Sequence, residues 1–122
     1  MAADCATQNA FNIDDPGASG AIPNYLTGIV HLVSAAAESR SLAVPDCAGL
    51  DLTLVMKTDG GDITLTVASA YDESGSTTVV FSDPGQFIRF ISFEVASGTY
   101  AWRRIAHDGV TGPAVASQTV AG

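Results

Sequence analysis

The chain is short of positive charge, of cysteine and of long apolar runs, and each shortage narrows what it does. Five Lys and Arg stand against 13 Asp and Glu, a formal net charge of −8 over 122 residues. Proteins that grip DNA or RNA neutralise phosphates with Lys and Arg, so direct nucleic-acid binding is not expected. An anionic membrane surface is disfavoured on the same ground. No apolar stretch reaches the ~18 residues of a membrane helix. The opening "MAADCATQNAFNIDD" shows no basic start followed by an apolar segment, so synthesis and folding in a cytosol are expected. Cys5 and Cys47 have neither C-x-x-C spacing nor a neighbouring His cluster, which favours two thiols over a disulfide.

Catalytic signatures are missing too. There is no G-x-S-x-G elbow, phosphate loop, zinc spacing or dinucleotide fingerprint, so no enzyme, cofactor or metal is expected. Asp59 with Asp62, and Asp72 with Glu73, lack the alternating oxygen ligands of an EF-hand and read as turn residues.

What is present suits a β-rich fold. Apolar residues make up 47% and charged residues only 15%, with 12 Gly. Length predicts one domain, and such a chain buries roughly two thirds of its unfolded surface. Residues 1–28 carry Asp14, Asp15, Pro16, Gly17, Gly20, Pro23 and Gly28 without periodicity, and read as an extended N-terminal arm. A β-domain is expected over 29–110, followed by an extended tail over 111–122.

"GIVHLV" alternates as a strand with Ile29, His31 and Val33 on one face, His31 being expected in the core. A helix using Ile29, Leu32, Val33, Ala36 and Ala37 is the alternative. "RSLAVP" reads as a short strand stopped by Pro45. "DLTLVMK" and "DITLTVA" flank "TDGG", which predicts a tight β-hairpin whose glycines supply positive φ. "TTVVFS" is a further strand, and "DPGQ" a Pro-Gly turn. "FIRFISFEV" and "TYAWRRIA" are expected to pair antiparallel. The fold expected is all-β, an antiparallel β-sandwich or small barrel.

The stretch most loaded with chemistry is "GTYAWRRIAHDG". Alternation places Tyr100, Trp102, Arg104 and Ala106 on one face and Thr99, Ala101, Arg103 and Ile105 on the other. Arg89 lies on the preceding strand, flanked by Phe87 and Ile91. Aromatic and β-branched cross-strand pairs are ordinary sheet stabilisers. His107 and Asp108, just before Gly109, read as a turn rather than half of a triad. If these side chains meet a partner, Tyr100, Trp102, Arg103, Arg104 and Arg89 are the candidate interface, since Trp, Tyr and Arg anchor interfaces.

Taken in order, "LAVP" at 42–45, the apolar strand 50–57, the Gly-rich segment 58–62, "TTVVF" at 77–81 and the aromatic strand around 100–102 resemble small virion proteins of tailed bacteriophages. The resemblance spans roughly 29–106 and is to capsid decoration (cement) proteins and head fibres; residues 1–25 have no counterpart in it. It implies a β-rich, commonly trimeric protein on the outer capsid surface, with the major capsid protein as partner. The arm would then supply capsid contacts through Phe11, Ile13 and Tyr25. The alternative is a carbohydrate- or receptor-binding module of a virion, with Tyr71, Tyr100 or Trp102 in an exposed patch.

Overall fold

The computed structural model describes residues 11–113. They form nine strands and no helix: β1 (Asn12–Ile13), β2 (Gly20–Ile22), β3 (Gly28–Ser34), β4 (Glu38–Leu42), β5 (Asp51–Asp59), β6 (Ile63–Val67), β7 (Thr78–Phe81), β8 (Phe87–Ala96) and β9 (Thr99–Asp108). One sheet has the order β1-β3-β5-β8-β9 and the other β2-β4-β6-β7. The protein is mostly β, as the alternating patterns require, but its sheets are mixed rather than antiparallel.

The first six strands switch sheet at every connection. β1, β3 and β5 stack parallel in one sheet, and β2, β4 and β6 stack parallel in the other. The chain therefore winds as a coil of three rungs before β7, β8 and β9 add antiparallel strands. Parallel strands demand long crossovers, and here the opposite sheet is the crossover. No sequence repeat announces the coil.

This topology corrects the hairpin expected at residues 50–67. β5 and β6 lie in different sheets and do not pair. The "TDGG" segment is a corner stacked on the corner of the preceding rung. Gly60 N donates to Ser34 O at 3.0 Å, Ser34 Oγ to Gly61 O at 2.6 Å, and Glu38 N to Asp62 O at 2.9 Å. Neither Gly60 nor Gly61 takes positive φ. Glycine is needed for a different reason: a Cβ on either would run into the backbone of Ala35, Ala36 or Ala37.

The expected arm is corrected as well. Residues 11–28 hold the first rung, with Ile13 and Ile22 buried in the common core. Asp15 reaches across to Arg40, whose side chain is 0% exposed. Residues 1–10, with Cys5, lie outside the described part. Cys47 is an exposed free thiol. At the other end, Thr111 exchanges both backbone hydrogen bonds with Val80 on β7, at 2.9 and 3.1 Å, and Val110 is buried. The start of the tail thus belongs to the domain, and 114–122 lie outside the described part.

Both sheets send their inward residues into a single hydrophobic cluster. Each fully buried aliphatic side chain contributes ~1.5–3 kcal/mol before entropy is counted. In β3 the inward set is Val30, Leu32 and Ser34, so His31 faces solvent, contrary to expectation. Two apolar sets alternate in "GIVHLV", and the pattern alone does not say which one turns inward. Tyr71, Phe90 and Trp102 form an aromatic row, with ring centroids 5.3 Å and 6.2 Å apart. The β8–β9 pairing and the "DPGQ" turn follow expectation. Gln86 N donates to Asp83 O at 3.2 Å, and Gly85 has φ of 92°.

Candidate protein interface

Trp102 is 1% exposed, and its indole Nε1 donates to Ala43 O at 2.8 Å. Tyr71 is buried and its hydroxyl donates to Thr78 O at 2.6 Å. Burial pushes the Tyr71 hydroxyl pKa up, and the neighbouring Asp72 carboxylate adds to that. Both rings therefore hold the core together and are unavailable to a partner. Of the aromatics expected in an exposed sugar-binding patch, only Tyr100 keeps partial access.

The two arginines of "WRR" point to opposite faces, as alternation requires. Phe90, which is buried, pairs with Arg104, while Ile91 on the outer face pairs with Arg103. A register shift at Arg89/Phe90 inserts Ile105 as an extra residue, which breaks the expected alternation. Ala106 then pairs with outward Arg89, and His107 pairs with inward Ile88. The bulge thereby turns Arg104 and His107 to the same side. Arg104 Nη1 lies 3.1 Å from His107 Nδ1, and since a guanidinium only donates, Nδ1 is the acceptor. Burial, then the Arg104 charge, lowers the His107 pKa and favours that neutral ring. The Arg104 amide also donates to Tyr71 O at 2.9 Å, fastening the loop after β6 to β9. Asp72 organises that loop, its Oδ1 accepting from the amides of Ser74 and Ser76, each at 3.0 Å. Arg104 is thus part of the packing of this edge rather than of an outward interface.

Of the remaining candidates, Arg89 and Arg103 stand on the outer face of the five-stranded sheet, while Tyr100, paired with Glu94, lies on the Trp102 side of β9. Arg103 lies over the Phe93 ring, 5.8 Å from its centroid. Arg89 forks onto Asp51 across strands, Nε to Oδ1 at 2.9 Å and Nη2 to Oδ2 at 2.5 Å. That contact holds the Asp51 carboxyl below its ordinary range. Around them stand Ile29, Val55, Phe87 and Ile91, all half-buried. Lys57 joins the face where a β-bulge separates it from the β3 register. A shallow groove of about 290 Å³ runs between Phe11, Ile29, Thr53 and the Asp51–Arg89 pair. A second, of about 470 Å³, lies between Asn12, Asp14, His31 and Lys57.

The outer face of the four-stranded sheet has another character. Ser39, Ser41, Thr64, Thr66 and Thr78 point outward there, a surface of small hydroxyls. The two faces of the protein are chemically distinct, one apolar with charges of both signs and one lined by small hydroxyls.

The three arm residues separate. Phe11 is 53% exposed beside the first groove, Ile13 is in the core, and Tyr25 is 59% exposed at the corner between β2 and β3. Sequence reasoning missed Arg40 and Asp15, which read as one strand position and one turn residue. The available signal was a lone Arg inside "ESRSL", where a buried cation needs a carboxylate from elsewhere in the chain. No protein-family model matches the chain, and no curated protein or solved structure does.

Proposed function

We propose that this chain is a structural virion protein that decorates the outer surface of a tailed-bacteriophage capsid and stabilises the shell. The carrying observation is the chemical asymmetry of its two sheet faces. The outer face of the five-stranded sheet combines half-buried Phe87, Ile91 and Phe93 with Arg89 and Arg103, the mixture that interfaces favour. The resemblance of residues 29–106 to decoration proteins supplies the setting. On this reading the major capsid protein is the partner, and the protein works as a homotrimer. Its effect is mechanical: interfaces of about 800 Å² per partner, repeated over the shell, oppose internal pressure.

The adhesin reading draws less support, because Tyr71 and Trp102 are buried. Heating or osmotically shocking virions with and without this protein tests the proposal. Loss of the protein is expected to lower the temperature at which heads release DNA. Equal stability of the two virions, with no binding of purified protein to heads, overturns it. Light scattering at high concentration tests the trimer, which a clean monomer refutes.

A further inference from the structure

β9 is the last strand of one sheet and β7 the last of the other, and two segments bridge the sheets along that side. The first is the loop after β6, residues 68–77, whose Tyr71 O accepts from the Arg104 amide at 2.9 Å. The second is the crossover after β9: Gly109 turns the chain with φ of 81°, Val110 is buried, and Thr111 pairs with Val80. Arg104 and His107 stand where these segments join β9. The bulge at Ile105 turns both side chains to the inner side, and Arg104 Nη1 lies 3.1 Å from His107 Nδ1. That contact sets a condition on charge. A guanidinium only donates, so a proton on Nδ1 removes the acceptor and sets two cations against each other. An arginine keeps its charge at every ordinary pH, whereas a histidine titrates at about 6.5.

We propose that Arg104 and His107 form an acid-sensitive latch: protonation of His107 breaks their contact and releases the loop after β6 and the crossover at 109–111 from the end of β9. The latch is independent of the capsid role and concerns how the fold answers to pH. The charges acting on the ring come from two elements. Burial and then the Arg104 charge oppose the proton, while Asp108 on the same strand and Asp72 in the loop after β6 favour it, and the balance lies against it. From β8 the residue opposite is the apolar Ile88, which offers no compensating charge. Because the folded ring resists the proton, the opened form takes it up first as pH falls. The stabilisation is complete above the ordinary histidine value of about 6.5 and is lost as pH drops through the lower folded value. That loss begins at higher pH than any due to ordinary carboxylates. Both bridging segments are held to β9 and β7 by few backbone bonds, so they open before the core does.

The test uses the full chain. NMR follows both imidazoles from about pH 8 to about pH 5, with His31→Gln to assign the signals. Hydrogen exchange over the same range, corrected for the intrinsic rate, reads the amides of Arg104, Ser74, Ser76 and Thr111, each bonded within or beside the latch. The amides of Leu54 on β5 and Leu65 on β6 serve as core controls. At the upper pH the His107 ring is expected to carry its hydrogen on Nε2, leaving Nδ1 bare. As His107 protonates, the latch amides should exchange about tenfold or more faster while the core amides hold. In His107→Gln, whose Oε1 accepts from Arg104 without titrating, exchange should stay slow throughout. A hydrogen on Nδ1 at the upper pH overturns the latch, and so does a ring that titrates while the latch amides ignore it. Equal acceleration of the core amides makes the response global unfolding and also refutes it. These three outcomes are read on the wild type, so the test stands even if the variant does not fold. An unchanged acid response in folded His107→Gln assigns the opening to another group.

Discussion

Asp15 and Arg40, 25 residues apart in sequence, meet as a forked pair. Arg40 Nε donates to Oδ1 at 2.7 Å, and Nη2 donates to Oδ2 at 2.9 Å. Glu38 accepts a further bond from Nη1 at 3.1 Å, and the carbonyls of Ser39 and Val33 take the rest. The guanidinium is fully satisfied while shut off from water, the condition under which a buried cation is tolerated. Because Asp15 also accepts from the Val33 amide at 2.9 Å, the pair ties the first rung to β3 and β4 together.

Removing one partner of a buried pair leaves an uncompensated charge. Asp15→Asn is expected to destabilise the protein by about 3 kcal/mol, near the low end of the usual range because Glu38 remains. Asp15→Asn combined with Glu38→Gln should cost more than the two separately, by about 1 kcal/mol, since either carboxylate alone still offsets Arg40. Urea unfolding of the four proteins in this cycle measures both quantities. Strict additivity would show that the two acids do not share the charge.

The same pair shapes the response to acid. Burial works against ionisation of Asp15, but the Arg40 guanidinium and the amides of Val33 and Gly17 outweigh it and hold the carboxyl below the ordinary aspartate range. Its folded pKa is thus below the unfolded value of about 3.9, and the unfolded chain takes up the proton first as pH falls. The stabilisation is complete above the unfolded value and is lost as pH drops through the folded one. Stability plotted against pH should therefore decline below about pH 5 in the wild type and decline less steeply in Asp15→Asn. Parallel curves would exclude the pair as a contributor.

Trp102 is the sole tryptophan, so its fluorescence reports on one place. Buried against Phe90 and bonded to Ala43 O, it should emit in the blue, resist quenching by acrylamide and shift to the red on unfolding. Trp102→Phe is expected to cost about 1–3 kcal/mol through the orphaned carbonyl, and Trp102→Ala about 3–5 kcal/mol. Ready quenching in the native state would return this ring to the list of surface anchors.

Two glycines separate two reasons for having glycine. At Gly85 an added Cβ meets open space, and only the φ of 92° opposes it. Gly85→Ala should cost about 1–2 kcal/mol. At Gly61 φ is not positive, but the Cβ would strike the backbone of Ala36 and Ala37. Backbone cannot rotate aside as a side chain can, so Gly61→Ala should cost more, about 3 kcal/mol, through forced separation of the stacked corners. Comparison of their urea midpoints decides it; equal losses would mean the corners are loosely packed.

How far the sequence can be read depends on the range of the interaction involved. Period-2 alternation is local, and it marked the strands of "DLTLVMK", "DITLTVA", "TTVVFS" and "FIRFISFEV", and in the first two it also separated the inward set from the outward one. Turn chemistry is local too: Pro84 and Gly85 specify their own bend, and the opposite facing of Arg103 and Arg104 follows from adjacency in a strand. From these the β class and much of the core were legible. The partner of each strand was not. "TDGG" is compatible with a hairpin and with a corner, and only the rung stacked against Gly60 and Gly61 selects the corner. Ile105 becomes a bulge because of its position against Arg89 and Phe90, and that bulge turns His107 inward beside Arg104.

By itself, then, the sequence determined an acidic, mostly β protein with a defined inward stripe where apolar and polar residues alternate, as in β5 and β6, because side-chain alternation and turn preferences act within a few residues. Tertiary structure alone decided that the strands wind as a parallel coil, that the first rung is welded on by Asp15 and Arg40, and that Lys57, Arg89 and Arg103 share one face. Those outcomes depend on contacts between residues a dozen or more apart, where burial of a common core and pairing of buried charges select one arrangement among many with the same local pattern.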